Sequence, residues 1–131
     1  LSPWIKTVAT QILLVEDDPA VRHLIVQFLT RDGATVHEAE TLEQARGILR
    51  DRSDISLAIL DFFLGCDNAV GLMDDLRADL AGLPILIISG GSAATDLETT
   101  QAIADISGAV AFLQKPFRKN DLLAAVASAL A

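Results

Sequence analysis

The sequence predicts a doubly wound α/β fold: a parallel sheet of five strands with a helix in every connection. Three observations carry this expectation. Five short apolar runs are spread along the 131 residues, and the segments between them place apolar residues at helical spacing. The runs are continuously apolar, as strands are when helices cover both faces, and parallel neighbours require a crossover between them. At 51% hydrophobic residues, the chain is long enough to remove most of its apolar surface from water as one domain.

The first run, 11–15, ends at Glu16-Asp17-Asp18-Pro19. Asp18 before Pro19 has the form of an N-cap with proline at the first helical position. Val21, Leu24, Ile25, Phe28 and Leu29 then follow the i, i+3, i+4, i+7, i+8 pattern of a helix with one buried stripe. The second strand is expected over 34–38, and Leu42, Ala45, Ile48 and Leu49 repeat the helical spacing. The third strand, 56–60, runs into Asp61, and Leu72, Met73, Leu76 and Leu80 mark the helix after it. The fourth, 84–88, runs into Ser89 and Gly90-Gly91, with a helix over about 95–106. The fifth, 109–113, leads to Lys115-Pro116 and a last helix carrying Leu122, Leu123, Val126 and Leu130.

Several classes are disfavoured. The longest apolar runs fall far short of the roughly 20 residues of a membrane span, so a soluble protein is expected. No basic-then-apolar leader opens the chain, and the single cysteine, Cys66, cannot form an internal disulfide; a reducing cytoplasm is the expected setting. A net charge of −8, with 10 dispersed basic residues, gives no footprint for nucleic acid or anionic lipid.

In open parallel sheets the functional groups gather outside the carboxyl ends of the strands. The residues expected there are Glu16, Asp17 and Asp18 after the first strand, Asp61 after the third, Ser89 after the fourth and Lys115 after the fifth. Each has an ordinary explanation: Asp18 as a helix cap, Ser89 as loop chemistry, Lys115 as a solvated lysine. Their convergence is harder to explain in that way. Two unit charges ~4 Å apart repel by about 4 kcal/mol at an effective dielectric near ~20, so several carboxylates on one edge imply a cation. A divalent ion with hard oxygen ligands, Mg²⁺ foremost, fits that need, with Lys115 as a second positive charge.

The stretches ILLVEDDP, LAILD, LIISGG and FLQKPF resemble, in order and spacing from about Gln11 to Leu130, the signatures of the response-regulator receiver domain. That is the phospho-acceptor module of two-component signalling, similar to chemotaxis regulators. The resemblance implies a flavodoxin-like (βα)5 fold with strand order 2-1-3-4-5. It implies Asp61 as phospho-acceptor, Glu16 and Asp17 as the acidic pair, Lys115 as the phosphate-binding lysine, Ser89 as the switch hydroxyl and Phe112 as the aromatic switch. Mg²⁺ would be held by Asp17, Asp61 and the backbone carbonyl of Phe63, with Glu16 acting through ordered water, and the Lys115–Pro116 peptide would be cis. Phosphoryl transfer from a phosphohistidine of a histidine kinase or phosphotransfer protein would alter the surface made by the fourth helix, fifth strand and fifth helix. Such a domain is a monomer or weak dimer and no stand-alone enzyme, beyond supporting its own aspartyl phosphorylation and dephosphorylation.

The stretch DFFLGCDNAVG departs from the family pattern. Gly65 stands where proline is expected, the run to Gly71 is about two residues longer, and Phe63 is bulky beside the phosphate position. His23, His37 and Cys66 lack ligand spacing or a base and read as surface or packing residues. Residues 1–10, with Trp4 and Ile5, read as an N-terminal extension or a linker from an upstream domain, the linker preferred, and 11–131 as the receiver. A receiver at the end of a hybrid sensor kinase would look like this, as would a trimmed single-domain regulator. Two rivals are kept: a phosphatase with a strand-end aspartate nucleophile, which would want an acid where Phe63 stands, and a pseudo-receiver that no longer accepts phosphate.

Overall fold

The structure, a computed structural model, describes residues 10–64, 67–80, 82–90 and 109–131. Trp4, Ile5, Gly65, Cys66, Gly91 and the helix expected over 95–106 lie outside the described residues. The elements in chain order are β1 (Gln11–Val15), α1 (Pro19–Arg31), β2 (Thr35–Ala39), α2 (Leu42–Asp51), β3 (Leu57–Asp61), β4 (Phe63–Leu64), β5 (Asp67–Asn68), α3 (Val70–Asp79), β6 (Ile85–Ser89), β7 (Ala111–Gln114) and α4 (Lys119–Leu130). Five strands form one parallel sheet in the order β2-β1-β3-β6-β7. Counting those strands alone, this is the order 2-1-3-4-5 of a flavodoxin-like fold.

Alternation along the strands divides the core between the two faces of the sheet. Leu13, Val15, Ala58, Leu60, Ile85 and Ile87 face α2 and α3, where Ala45, Leu72, Met73 and Leu76 meet them. Ile12, Leu14, Leu57, Ile59, Leu86 and Ile88 face the other way, onto Ile25 and Leu29 of α1 and Leu122 and Val126 of α4. The three central strands are covered on both sides, which is why their sequences are apolar without alternation.

Local signals set the helix ends. Asp18 Oδ1 accepts from the Ala20 and Val21 amides at 2.9 and 3.4 Å, so it is the cap that its place before Pro19 suggested. At the other end of α1, Gly33 has φ 97°, with its amide on Thr30 O and that of Ala34 on Leu29 O. That pairing is a Schellman closure, which needs a left-handed residue. Thr41 caps α2 through the Gln44 amide, at 3.1 Å.

Three differences from the sequence reading follow from backbone bonding and packing that hydropathy cannot see. First, β2, β3 and β6 each begin and end one residue later than expected, and β7 starts at Ala111. Asp61 pairs with Ile88 and Ser89 with Gln114, so these polar residues end the ladders instead of following them. Second, Leu24 is 43% exposed although its spacing suits the core, because the stripe of α1 that meets the sheet centres on Ile25 and Leu29. Leu80, placed in the third helix by spacing, is its half-exposed C-cap. Third, the lengthened stretch after Asp61 forms an antiparallel hairpin, β4 with β5, pairing Phe63 with Asn68 and Leu64 with Asp67.

Candidate functional site

β1, β3 and β7 deliver three charged side chains to the carboxyl edge. The Glu16 amide continues the β1 ladder by donating to Ala39 O at 3.0 Å, and its side chain is fully buried. Asp61, the last residue of β3, is 5% exposed. The Lys115 amide donates to Ser89 O at 2.9 Å, which registers the end of β7 against β6. The stem of Lys115 passes Gly90, where an added Cβ would sit 3.8 Å from Lys115 Cβ. From there Lys115 Nζ donates to Glu16 Oε1 at 2.6 Å and to Asp61 Oδ2 at 3.2 Å.

Asp17 completes the acidic corner from the solvent side. Among the described residues, oxygens of Glu16, Asp17 and Asp61 lie within 4.8 Å of one another, with Asp17 exposed and the other two buried. Asp18 is turned into its helix cap, so it adds no ligand. The remaining carboxylate oxygens are partly engaged: Asp61 Oδ1 accepts from the Phe63 amide at 3.2 Å, and Glu16 Oε2 from the Asp18 amide at 3.4 Å. Carboxylate oxygens have two lone pairs each, so acceptor capacity is left, and the exposed Asp17 leaves the corner open to water. Three hard oxygen donors around one point fit a hard divalent cation such as Mg²⁺.

The register of the hairpin sets the Phe63 peptide beside Asp61. Ala69 N donates to Phe62 O at 3.0 Å, which makes Phe63–Asn68 a widely spaced pair whose own amide groups point out of the ladder. The Phe63 N–H is accordingly on Asp61, and its carbonyl lies on the same side of the strand. The Phe63 ring packs edge-on against that of Phe62, centroids 4.9 Å apart.

Burial and the neighbouring charges together shift the acidity of the corner. Burial pushes the Glu16 carboxyl up, and the neighbouring Asp61 adds to the rise, while the contact with Lys115 opposes it without prevailing. Burial works against the Lys115 ammonium, but its bond to Glu16 and the charges of Asp61 and Glu16 outweigh that and raise it.

Ser89 is fully buried at the end of β6. Phe112 is half-buried and packs against the cluster under α2 and α3, and the Lys115–Pro116 peptide is cis. His23 and His37 stand away from the corner. His23 pairs with Gln27 at 2.9 Å and His37 with Gln11 at 2.7 Å, and burial, then Arg52, lowers the His37 pKa. Sequence reasoning passed over Arg22, whose Nη1 donates to Glu16 O at 2.9 Å. Its acid partners Glu38 and Glu40 alternate at the end of the second strand, the one hint of it in the sequence.

No helix among the described residues is long and apolar enough to cross a membrane. Over 119 residues, 91% of this chain, the sequence is 33% identical to Regulatory protein VirG of Agrobacterium tumefaciens (strain 15955), covering 43% of that protein. The chain spans about half the length of the curated relatives it matches. The solved structure of a CheY-like response regulator receiver domain protein from Methanospirillum hungatei JF-1 superposes with a TM-score of 0.83 at 24% identity, over 94% of each chain, a likeness of fold. A response regulator protein from Burkholderia pseudomallei, solved with a phosphorylated aspartic acid, a calcium ion and citrate, gives a TM-score of 0.76 at 25% identity, over 88% of this chain and 65% of that one. The family model for the response regulator receiver domain matches residues 12–127, nearly the whole sheet and every residue of the acidic corner, so the chain belongs to that family.

Proposed function

We propose that residues 11–131 form a phospho-accepting receiver in which Asp61 takes a phosphoryl group from a phosphohistidine. The observation that carries this is the contact of Lys115 Nζ with both Glu16 and Asp61 beside the exposed Asp17. In the transfer a P–O bond forms to an Asp61 oxygen as the donor's P–N bond breaks, and catalysis is chiefly positioning and neutralisation of phosphoryl charge. The β3 ladder and the Phe63 amide fix the acceptor carboxylate. Lys115 already bridges the acids and supplies an ammonium for the phosphoryl oxygens, and the Ser89 hydroxyl, at the end of the neighbouring strand, donates to them afterwards. Glu16, Asp17, Asp61 and the Phe63 carbonyl are the groups that would hold Mg²⁺, which supplies further positive charge to the same oxygens. Drawing Ser89 toward the phosphate makes room for Phe112 to turn inward, shifting an existing equilibrium of the surface around β7 and α4. A phosphorylated aspartate with calcium in the Burkholderia pseudomallei relative supports this reading. So does the intact set of acids and lysine, which a pseudo-receiver would lack; a strand-end phosphatase would need an acid where Phe63 stands. The phosphodonor is a histidine kinase or a histidine phosphotransfer protein.

Incubation with a small phosphodonor and Mg²⁺ should add one acid-labile phosphate, read by intact mass. An unchanged wild-type mass, or equal labelling of Asp61→Asn, defeats the proposal. Mg²⁺ should also raise the melting temperature of the wild type by mass action and that of Asp17→Asn much less. Equal shifts in the two proteins would show that Asp17 and Asp61 do not share an ion.

A further inference from the structure

Arg22 stands near the start of α1 with its side chain only 13% exposed. Its guanidinium joins three points of the chain. Nη1 donates to the Glu16 carbonyl at 2.9 Å, Nε to Glu38 Oε1 on β2 at 3.2 Å, and Nη2 to Glu40 Oε1 just beyond β2 at 3.1 Å. The two acid partners are 48% and 60% exposed, and ion pairs so open to water contribute little to stability. The bond to Glu16 has a different consequence. The Glu16 amide is already held by Ala39 O at 3.0 Å, so Arg22 fixes the other side of the residue, the carbonyl of the peptide that leads into Asp17. Two of the three carboxylates of the corner flank that peptide. A planar fork whose donors point in set directions suits the task better than an ammonium on a flexible stem.

We propose that Arg22 is a positioning residue: it clamps the Glu16–Asp17 peptide against the end of β2, through Glu38 and Glu40, and so holds both carboxylates in place for a divalent cation. The proposal rests on the reading of the corner as a cation site. Outer groups that orient metal ligands typically change affinity about 10-fold to ~100-fold when removed. Loss of the clamp should therefore appear in Mg²⁺ affinity even where the fold persists.

The test is calorimetric Mg²⁺ titration of the wild type, Asp17→Asn, Arg22→Ala, Arg22→Lys and the double variant Glu38→Gln/Glu40→Gln. Melting without Mg²⁺ and exchange rates of the Glu16 and Asp18 amides are measured alongside. Arg22→Ala should bind Mg²⁺ at least about 10-fold more weakly and exchange both amides faster. Arg22→Lys, which can reach the carbonyl without forking to both acids, should recover part of the affinity, and the double variant should fall between wild type and Arg22→Ala. A purely structural role would lower the melting temperature and leave the Mg²⁺ constant unchanged, which overturns the clamp. If Arg22→Ala fails to fold, wild-type affinity in both Arg22→Lys and the double variant overturns it as well. A wild type that binds no Mg²⁺ defeats the cation reading instead. The clamp is then decided by amide exchange: faster in the variants upholds it, equal rates refute it.

Discussion

Replacing Lys115 with methionine should destabilise the metal-free protein by about 3 kcal/mol at neutral pH, because one partner of a buried charge pair is removed while the other charge stays buried. Glu16 is fully buried and Asp61 nearly so, and the ammonium touches both. The pH dependence distinguishes this from lost packing. Glu16 has a folded pKa above its ordinary 4.5, so the folded state holds its proton where the unfolded state has released it, and stability falls as pH rises through that window. Without the lysine that opposes the rise, the window should widen upward and the total fall deepen. At the alkaline end the sign repeats with a different group. The raised Lys115 contributes stability that is present below its ordinary 10.5 and lost as pH climbs through its higher folded value, so that loss should be absent from the variant. Urea midpoints from acid to alkaline pH read both effects. A variant whose profile runs parallel to the wild type would mean that the ammonium does not hold these carboxylates in solution.

Leu60→Ala should lower stability by about 2–5 kcal/mol, the range for a buried leucine truncated where its surroundings cannot close in. Leu60 is fully buried on β3, paired with Val15 and Ile87 and packed in the cluster containing Leu13, Phe62 and Met73. Against a total of about 5–15 kcal/mol for a domain, that is a large fraction. Labelling of Asp61 should nonetheless persist at low temperature, since the ladder to β6 sets its position. Leu24→Ala on α1, whose side chain is 43% exposed, should change the urea midpoint by a small fraction of that amount. Equal effects from the two truncations would contradict the burial of the sheet described above.

The fold was legible because its signals are local. Continuous apolar runs give covered strands, Asp18-Pro19 gives a cap, and the charged residues at the strand ends read directly as one edge. Strand limits were less legible, because Asp61 and Ser89 look like loop residues by hydropathy while their backbones complete the ladders. The hairpin after Asp61 was missed for a related reason: four paired residues with no apolar alternation carry no periodic signal. Arg22 was hidden more deeply, since its partners Glu16, Glu38 and Glu40 are six, sixteen and eighteen positions away, and only the β1–β2 pairing brings them together.

The pair Lys115–Glu16 joins positions 99 apart in sequence, the first strand to the last. Parallel pairing is non-local throughout, and such contacts close late relative to helices because chain entropy is lost before they form. A chain folded only as far as β6 would hold Asp61, Glu16 and Asp17 on the sheet edge without an ammonium between them. Under the proposed function the acceptor therefore gains its lysine only with the docking of β7, and a truncation before Lys115 would remove α4 as well, uncovering the face of the sheet that Leu122 and Val126 cover.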